Sequence, residues 1–407
     1  MTSLFDSCDE KLLASGSHRV TAVADTLARM RPMMPRFGIT RIADITGLDR
    51  IGIPVALAIR PNSRSVAVSQ GKGETADHAR ASALMETIEI WHAERFDKPV
   101  LYGKARDLRD RHQFIDLERL PLVRNGQFAD DLPLLWVEGV EIASSEPLLV
   151  PYEMVHADYT RPVQPCHGVF PASTNGLASG NSLLEAVNHA LAEVIERDAL
   201  SVWHATAPDQ QKTKRLNVET ITAPSLKAMI EKVTGAGLEV AFWDITSDIG
   251  VATILCLMDD PGSHDGHIGL GSGTHPDAAV ALRRALTEAA QTRLNYISGA
   301  RDDLSLDEFA AEGIASKHRF VREMMSGPVG KKEVADIPSQ THELLSQDLD
   351  FMMRGLAAAG IEGAAYVDLT RPDIGIHVAR VIVPGLEAPH DDASYVAGPR
   401  AQGAALR

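Results

Sequence analysis

Three cysteines in 407 residues, Cys8, Cys166 and Cys256, lie far apart and form no CxxC pair. That argues against a cysteine-built zinc site and against a disulfide framework, and it suits a reducing cytoplasm. No run of about 18 apolar residues exists, so nothing in the chain reads as a membrane span. The stretch Met1 to Asp25 carries acidic side chains and lacks an apolar segment, so it does not read as a secretory signal. Positive charge is also scarce. Forty Lys and Arg stand against 55 Asp and Glu, a formal net charge of −15, and a field of that sign does not draw nucleic acid. Missing too are a GxSxG elbow, an HExxH helix and the full GxxxxGK[ST] loop. Their absence argues against a serine hydrolase, a zinc protease and a P-loop ATPase.

What is present is a chain with 44% hydrophobic residues, enough for a sizeable core. Strand-like and helix-like segments alternate, which predicts an α/β or mixed α+β fold. Helices are expected over Val20–Arg31, Ala76–Arg95, Leu183–His204 and Pro276–Ile297. Strands are expected at Ile39–Ala43, Val55–Ala58, Ser65–Ser69, Leu148–Val150, Leu238–Ile245, Val251–Met258, Ala364–Asp368 and His377–Val383. Ser69–Gly73 and Gly269–Gly273 are glycine-rich and read as turns that open helices. Lys72 in the first of them reads as a surface side chain. The second resembles a dinucleotide fingerprint only in passing, because the third glycine and the acidic residue fall in the wrong places. The tail after Pro389 is rich in Gly and Ala and reads as loosely held. No repeat or low-complexity linker marks a domain boundary.

Two helices carry the chemistry. At ~100° per residue, Leu84, Met85, Ile88 and Trp91 fall on one side of the first, and Ser82, Glu86 and Glu89 on the other. In the second, Leu184, Val187, Leu191, Val194 and Ile195 share one face. Glu185, His189, Glu193 and Glu196 share the opposite face, with Asn181 just before the helix. A polar outer face would explain both patterns, but such a face normally interleaves Lys or Arg, since like charges at i±4 cost ~0.2–0.5 kcal/mol per pair. Here no lysine occurs between Lys104 and Lys212, and Arg197 is the lone cation of the second helix. Two carboxylate faces without partners fit divalent cations, and Mg²⁺ is commonly shared between carboxylates and substrate phosphates. The physical expectation is two helices facing each other across a metal-bound triphosphate. A third helix bears Arg284 and Glu288 four positions apart, a spacing that alone suggests an ordinary ion pair.

These pieces also form blocks that resemble the YcaO family. Thr46-Gly47-Leu48-Asp49-Arg50-Ile51-Gly52-Ile53-Pro54-Val55 is similar to the opening of its domain. Ser69–Gly73 with Ser82, Glu86 and Glu89 is similar to the next block. Asn175–Asn181 with Glu185, Glu193, Glu196, Arg197 and Asp198 resembles the central block. Arg284–Arg293 resembles the late helix, and Asp368–Pro372 with Pro384–Glu387 the closing strands. The resemblance runs from about Arg19 to about Pro399.

The resemblance implies a single large α/β domain over 46–390, with acidic helices packed on β-sheets, an N-terminal helical segment over 1–45 and a tail over 391–407. It implies ATP and Mg²⁺ as cofactors, with Glu86, Glu89, Glu193 and Glu196 holding the metal. Ser82, Asn181, Glu185, Arg197, Arg284 and Glu288 would then meet the nucleotide or its ions. Arg19 and Thr26 match a basic and a hydroxyl residue that the family carries seven apart. Arg197 and Arg284 would stabilise charge during phosphoryl transfer. Ile90 and Ala178 depart from residues common in the family. By the same resemblance, a nucleophile adds to a peptide amide carbon, the oxyanion takes the γ-phosphoryl group, and phosphate leaves. An external sulfide then gives a thioamide, and a Cys, Ser or Thr side chain of the substrate gives an azoline. The chain lacks the Pro-x-Pro-x-Pro ending of many azoline-forming members, and its blocks begin near the first residue, without a fused leader-binding domain. Its block style is similar to members that act on a precursor peptide or protein with a TfuA-like partner, so thioamidation is the expectation and azoline formation the alternative. A homodimer is also compatible with the family. A third reading is an ATP-binding scaffold subunit, against which the full acidic set argues.

Overall fold

In the computed structural model, which describes residues 3–13, 18–163, 166–262, 267–304, 306–326, 330 and 332–406, the expected alternation is realised as three antiparallel sheets and a set of long helices. Among the described residues the strands are β1 (Arg41–Asp44), β2 (Val55–Ile59), β3 (Val68–Lys72), β4 (Val100–Lys104), β5 (Pro133–Glu141), β6 (Pro147–Pro151), β7 (Leu177–Gly180), β8 (Glu239–Asp244), β9 (Thr253–Asp259), β10 (Gly269–Thr274), β11 (Ala365–Asp368) and β12 (His377–Ile382). The helices are α1 (Val23–Met30), α2 (Met34–Phe37), α3 (Ala76–Glu94), α4 (Ala105–Leu108), α5 (Leu183–Ala205), α6 (Pro208–Thr213), α7 (Pro224–Gly235), α8 (Ala278–Ser298), α9 (Ala311–Met325), α10 (Leu345–Ala358) and α11 (Pro399–Ala405). One sheet runs β1-β2-β3 and another β8-β9-β10. The largest runs β4-β5-β11-β12-β7, with β6 also paired to β5.

The three longest helices start where the sequence provides a cap. Thr75 accepts from the His78 amide, Ser182 from the Glu185 amide and Asp277 from the Ala279 amide, at 3.3, 3.2 and 2.8 Å. Each cap satisfies one of the donors that a helix N-terminus leaves open. The apolar faces then decide the packing. Leu84, Ile88 and Trp91 of α3 enter one core, where Phe37 meets the Trp91 ring edge-on at 5.1 Å. Leu184, Val187, Leu191, Val194 and Ile195 of α5 enter another, against Leu349 and Met352 of α10 and Val381 of β12. Each such side chain contributes ~1.5–3 kcal/mol by leaving water.

Both glycine-rich stretches differ from the expectation. They are strands, not turns: Gln70, Gly71 and Lys72 pair with β2, and Gly269, Gly271 and Gly273 alternate along β10 in register with β9. Their glycines let a helix lie directly on the strand. A Cβ at Gly71 would sit 2.1 Å from the Ala79 oxygen and the Ala83 nitrogen of α3, and one at Gly271 would sit 2.2 Å from the Ala289 nitrogen of α8. A period of two in glycine is one face of a strand, here the face that a helix covers.

The segment after Pro389, read as loosely held, ends in α11, which docks on α5. Glu387 accepts from the backbone amides of Gly398, Arg400 and Ala401 at 2.8, 3.0 and 2.9 Å. Arg400 makes a two-pronged pair with Asp198 of α5 at 2.8 and 2.9 Å. Composition hid this because the acceptors, Glu387 and Asp198, lie outside the Gly- and Ala-rich stretch. No helix among the described residues is long and apolar enough to cross a membrane.

Candidate active site

Helices α3, α5 and α8 turn their polar faces towards one another around a cavity of about 1260 Å³. Arg19, Thr26, Ser82, Glu86, Glu89, Asn181, Glu185, Glu193, Glu196, Arg197, Arg284 and Glu288 all line it. The acidic faces read from the sequence therefore point inward, not to bulk solvent. Cys166 is not among the lining residues.

Each of the four central carboxylates is steadied by a strand or turn. Glu86 accepts from the Gln70 amide of β3 at 3.3 Å. Glu89 accepts from the Ser179 amide and hydroxyl of β7 at 2.8 and 2.5 Å. Glu193 accepts from the Gly176 amide at 3.3 Å, and Glu196 from the Ser272 hydroxyl of β10 at 2.7 Å. Among these contacts only that of Arg197, 3.5 Å from Glu196, brings a positive charge. Burial lifts the Glu86 carboxyl to about 7 against the pull of Arg301 and Lys72. Burial, with the neighbouring charges of Glu86 and Glu193, lifts Glu89 to about 8 despite the Ser179 hydrogen bonds. Glu193 is raised by burial and by Glu196, with Arg197 opposing. So the site gathers carboxyl groups whose ionisation burial opposes and nearby cations offset only in part.

The same cavity also holds cations. Arg19 donates to Glu185 at 3.1 Å, and the Val20 amide donates to the same carboxylate at 2.9 Å. Asn181 offers its amide oxygen to the Thr26 hydroxyl at 3.1 Å and to Arg29. His189 lies between two guanidinium groups, with Arg19 3.2 Å from one ring nitrogen and Arg284 2.9 Å from the other. Burial and both arginines push that imidazole well below its ordinary value, so it is neutral. A neutral ring has one acceptor nitrogen, so it satisfies only one of the two arginines. Lys72 of β3 pairs with Glu288 of α8. Burial raises the Glu288 carboxyl, but Lys72, Arg197 and Arg284 outweigh it and hold it low. Arg197 loses by burial and gains more from Glu196, Glu288 and Glu193, so its charge is fixed.

Magnesium and a nucleoside triphosphate fit this arrangement. Among the described residues no three His, Cys, Asp or Glu side chains converge closely enough to hold an ion unaided. Mg²⁺ rarely asks for that, since it binds one or two carboxylates and completes its shell with water and phosphate. Buried carboxyls steadied mainly by neutral donors, and two arginines that share one neutral imidazole, suit an ion and a polyanion bound together.

Several residues escaped the sequence reading. Lys72 was hidden in an apparent turn; once Gln70–Lys72 is a strand, Gln70 and Lys72 share a face. Ser179 and Ser272 lie in short strands with no periodicity of their own. His189 was visible only as a member of the polar face of α5.

The model that describes YcaO cyclodehydratases as ATP- and Mg²⁺-binding matches residues 70–387. This chain belongs to the YcaO family. ATP and Mg²⁺ are its cofactors. Among YcaO relatives, an uncharacterized protein of Methanothermobacter thermautotrophicus is 38% identical, over 89% of this chain and 94% of its own. A protein encoded in the tfuA 3′ region of Rhizobium leguminosarum bv. trifolii is 34% identical, over 91% of this chain and 88% of its own. The structure of YcaO from Methanopyrus kandleri bound with AMPPCP and Mg²⁺ matches with a TM-score of 0.75 at 24% identity. It covers 96% of this chain and 98% of that one, a likeness of fold.

Proposed function

We propose that this YcaO enzyme uses Mg·ATP to activate a backbone amide of a ribosomally made peptide or protein and installs a thioamide there, working with a TfuA-like partner. The observation that carries the ATP-dependent part is the set of four inward carboxylates on α3 and α5, two of them lifted by burial to about 7 and 8. Support for the partner and the thio-chemistry comes from the relative in the tfuA 3′ region. Bound Mg·ATP supplies a phosphoryl group that turns the amide oxygen into a leaving group.

The chain's own residues divide the remaining work. Glu86, Glu89, Glu193 and Glu196 would hold the metal, and donors on β3, β7 and β10 together with the Gly176 amide keep each carboxylate aimed. Arg19 and Arg284, which crowd a His189 ring able to accept from only one of them, would meet phosphate oxygens. Arg197, fixed in its charged form, meets the negative charge that grows during transfer. Thr26 and Asn181 close the N-terminal side, where Glu185 pins Arg19 and Val20. Ser82 and Glu288 complete the lining on α3 and α8. Azoline formation is the second reading, favoured by the cyclodehydratase description of the family.

Calorimetric titration with AMPPCP tests the site. Wild type is expected to bind only with Mg²⁺, and Glu193→Gln to lose most of that affinity; binding indifferent to both would sink the reading. Whole-proteome mass spectrometry of cells with and without the gene separates the two products. A thioamide replaces oxygen by sulfur, and an azoline loses water.

A further inference from the structure

Next to the large cavity, across Ser173 and Asn175, lies a second, smaller space. A cavity of about 30 Å³, measured as room for the centre of a water-sized sphere, is lined by Met154, Ser173, Asn175, Val194, Arg380 and Leu386, among others. A single water needs ~10–15 Å³ on that measure, so the space holds about two waters or one ion of sulfur size. Ser173 and Asn175 line both this cavity and the large one. The Gly176 amide reaches Glu193, and the Val381 amide donates back to the Gly176 oxygen at 2.8 Å. The turn at Asn175–Gly176 thus joins the small cavity to the carboxylate site.

Arg380 is the unusual member. It sits on β12, only 2% exposed. Nη2 donates to the Ser173 oxygen at 2.5 Å, while Nε and Nη1 have no partner among the described residues. The Asn175 side-chain oxygen, on the same cavity wall, is likewise buried and unpartnered. Leaving such groups unpaired costs ~1–3 kcal/mol each, more for a charged one. Nearby carboxylates do not satisfy Arg380. Glu193 is turned to the Gly176 amide, and Glu387 is engaged by the Tyr395 hydroxyl and the amides of α11. The wall thus offers two unpartnered guanidinium nitrogens and one amide oxygen, beside the already engaged Glu387 carboxylate, in a space too small for a phosphate ester.

We propose that this cavity is a subsite for a small monoanion carrying one hydrogen, and that in the reaction it holds hydrosulfide for addition to the amide. The assignment rests on the thioamide reading above. Sulfur accepts from Arg380, and the S–H points to the Asn175 oxygen, so each orphaned group gains a partner. In the reaction the sulfur bonds to the carbonyl carbon and the carbon–oxygen bond breaks. The oxygen departs with the γ-phosphoryl group and the S–H proton as hydrogen phosphate, leaving ADP. No external oxidant or reductant enters that balance.

The test uses crystals of the full chain soaked in sodium bromide, whose anomalous scattering locates the ion. Bromide is expected beside Arg380, and sodium sulfide is expected to displace it. In Arg380→Lys the sulfide needed for displacement should rise roughly ten- to hundredfold, the scale of a charged hydrogen bond. If that variant does not fold, Asn175→Asp, which sets a negative charge on the same wall, should exclude bromide. Absence of bromide from the wild-type cavity overturns the subsite and leaves the thioamide reading standing. Bromide that sulfide does not displace marks an adventitious ion only and overturns the hydrosulfide assignment. Displacement by sulfide in an enzyme whose product has lost water, not gained sulfur, overturns the role as nucleophile site.

Discussion

Replacing Glu89 by Gln should make the empty enzyme more stable and the nucleotide-bound enzyme less so. Glu89 is carried by α3 into the cavity, and burial with nearby carboxylates lifts it from 4.5 to about 8. A folded carboxyl that titrates above its unfolded value contributes stability that is complete below 4.5 and is lost as the pH rises through about 8. At ~1.4 kcal/mol per unit the full shift is worth on the order of 4–5 kcal/mol. Water in the cavity screens that to ~1–2 kcal/mol, or ~2–4 °C in melting temperature for a chain of this size. Gln keeps an oxygen for the Ser179 donors and carries no charge, so it escapes the penalty. Thermal melts of metal-free protein are therefore expected to favour Glu89→Gln at pH 8 and to show the two proteins nearly equal at pH 5. With AMPPCP and Mg²⁺ the order should reverse, because only the carboxylate neutralises the ion. A variant no more stable than wild type at pH 8, or one with the same gap at both pH values, would refute the claim that α3 holds an unmatched buried charge.

Other perturbations test the frame around the site. Arg400→Ala leaves Asp198 buried without its cation, so urea unfolding should show a loss of ~3 kcal/mol, the lower end for breaking a buried pair. Gly271→Ala drives a methyl into the backbone of α8 and should cost ~3 kcal/mol or more, visible as a fall in melting temperature. Lys72→Met frees the Glu288 carboxylate next to the phosphate end. Its affinity for AMPPCP, read by calorimetry, should fall by roughly tenfold or more.

Much of this architecture was legible because helices announce themselves over many residues. The long runs at α3, α5 and α8 were expected within two residues of their observed ends, since each keeps an apolar face in helical period over several turns. The inward direction of Glu86, Glu89, Glu193 and Glu196 was argued from missing lysines, a sign that distinguishes a charged face awaiting ions from one facing water. Strands were harder. Val100–Lys104 and Pro133–Glu141 gave no clean alternation, and Gly71 and Gly271 looked like breaks in the chain when they are contact points for helices. Residues whose role depends on pairs far apart in sequence, such as Lys72 with Glu288 or Arg19 with His189, left no local trace. Nothing short of the fold brings a strand near residue 70 beside a helix near residue 288.

The donors that steady the carboxylates are crossed among the strand–helix units. Ser179 of β7 holds Glu89 of α3, Ser272 of β10 holds Glu196 of α5, and Lys72 of β3 holds Glu288 of α8. These three contacts run between units, while Glu86 and Glu193 are held from within their own, by the Gln70 and Gly176 amides. Cut within the loop between Asp244 and Thr253, the chain would give two fragments. One would keep all four inward glutamates of α3 and α5 but lose Ser272, and the other would keep Arg284 and Glu288 but lose Lys72. Binding activity in this molecule is a property of the closed circuit, recoverable from halves only when they find each other again.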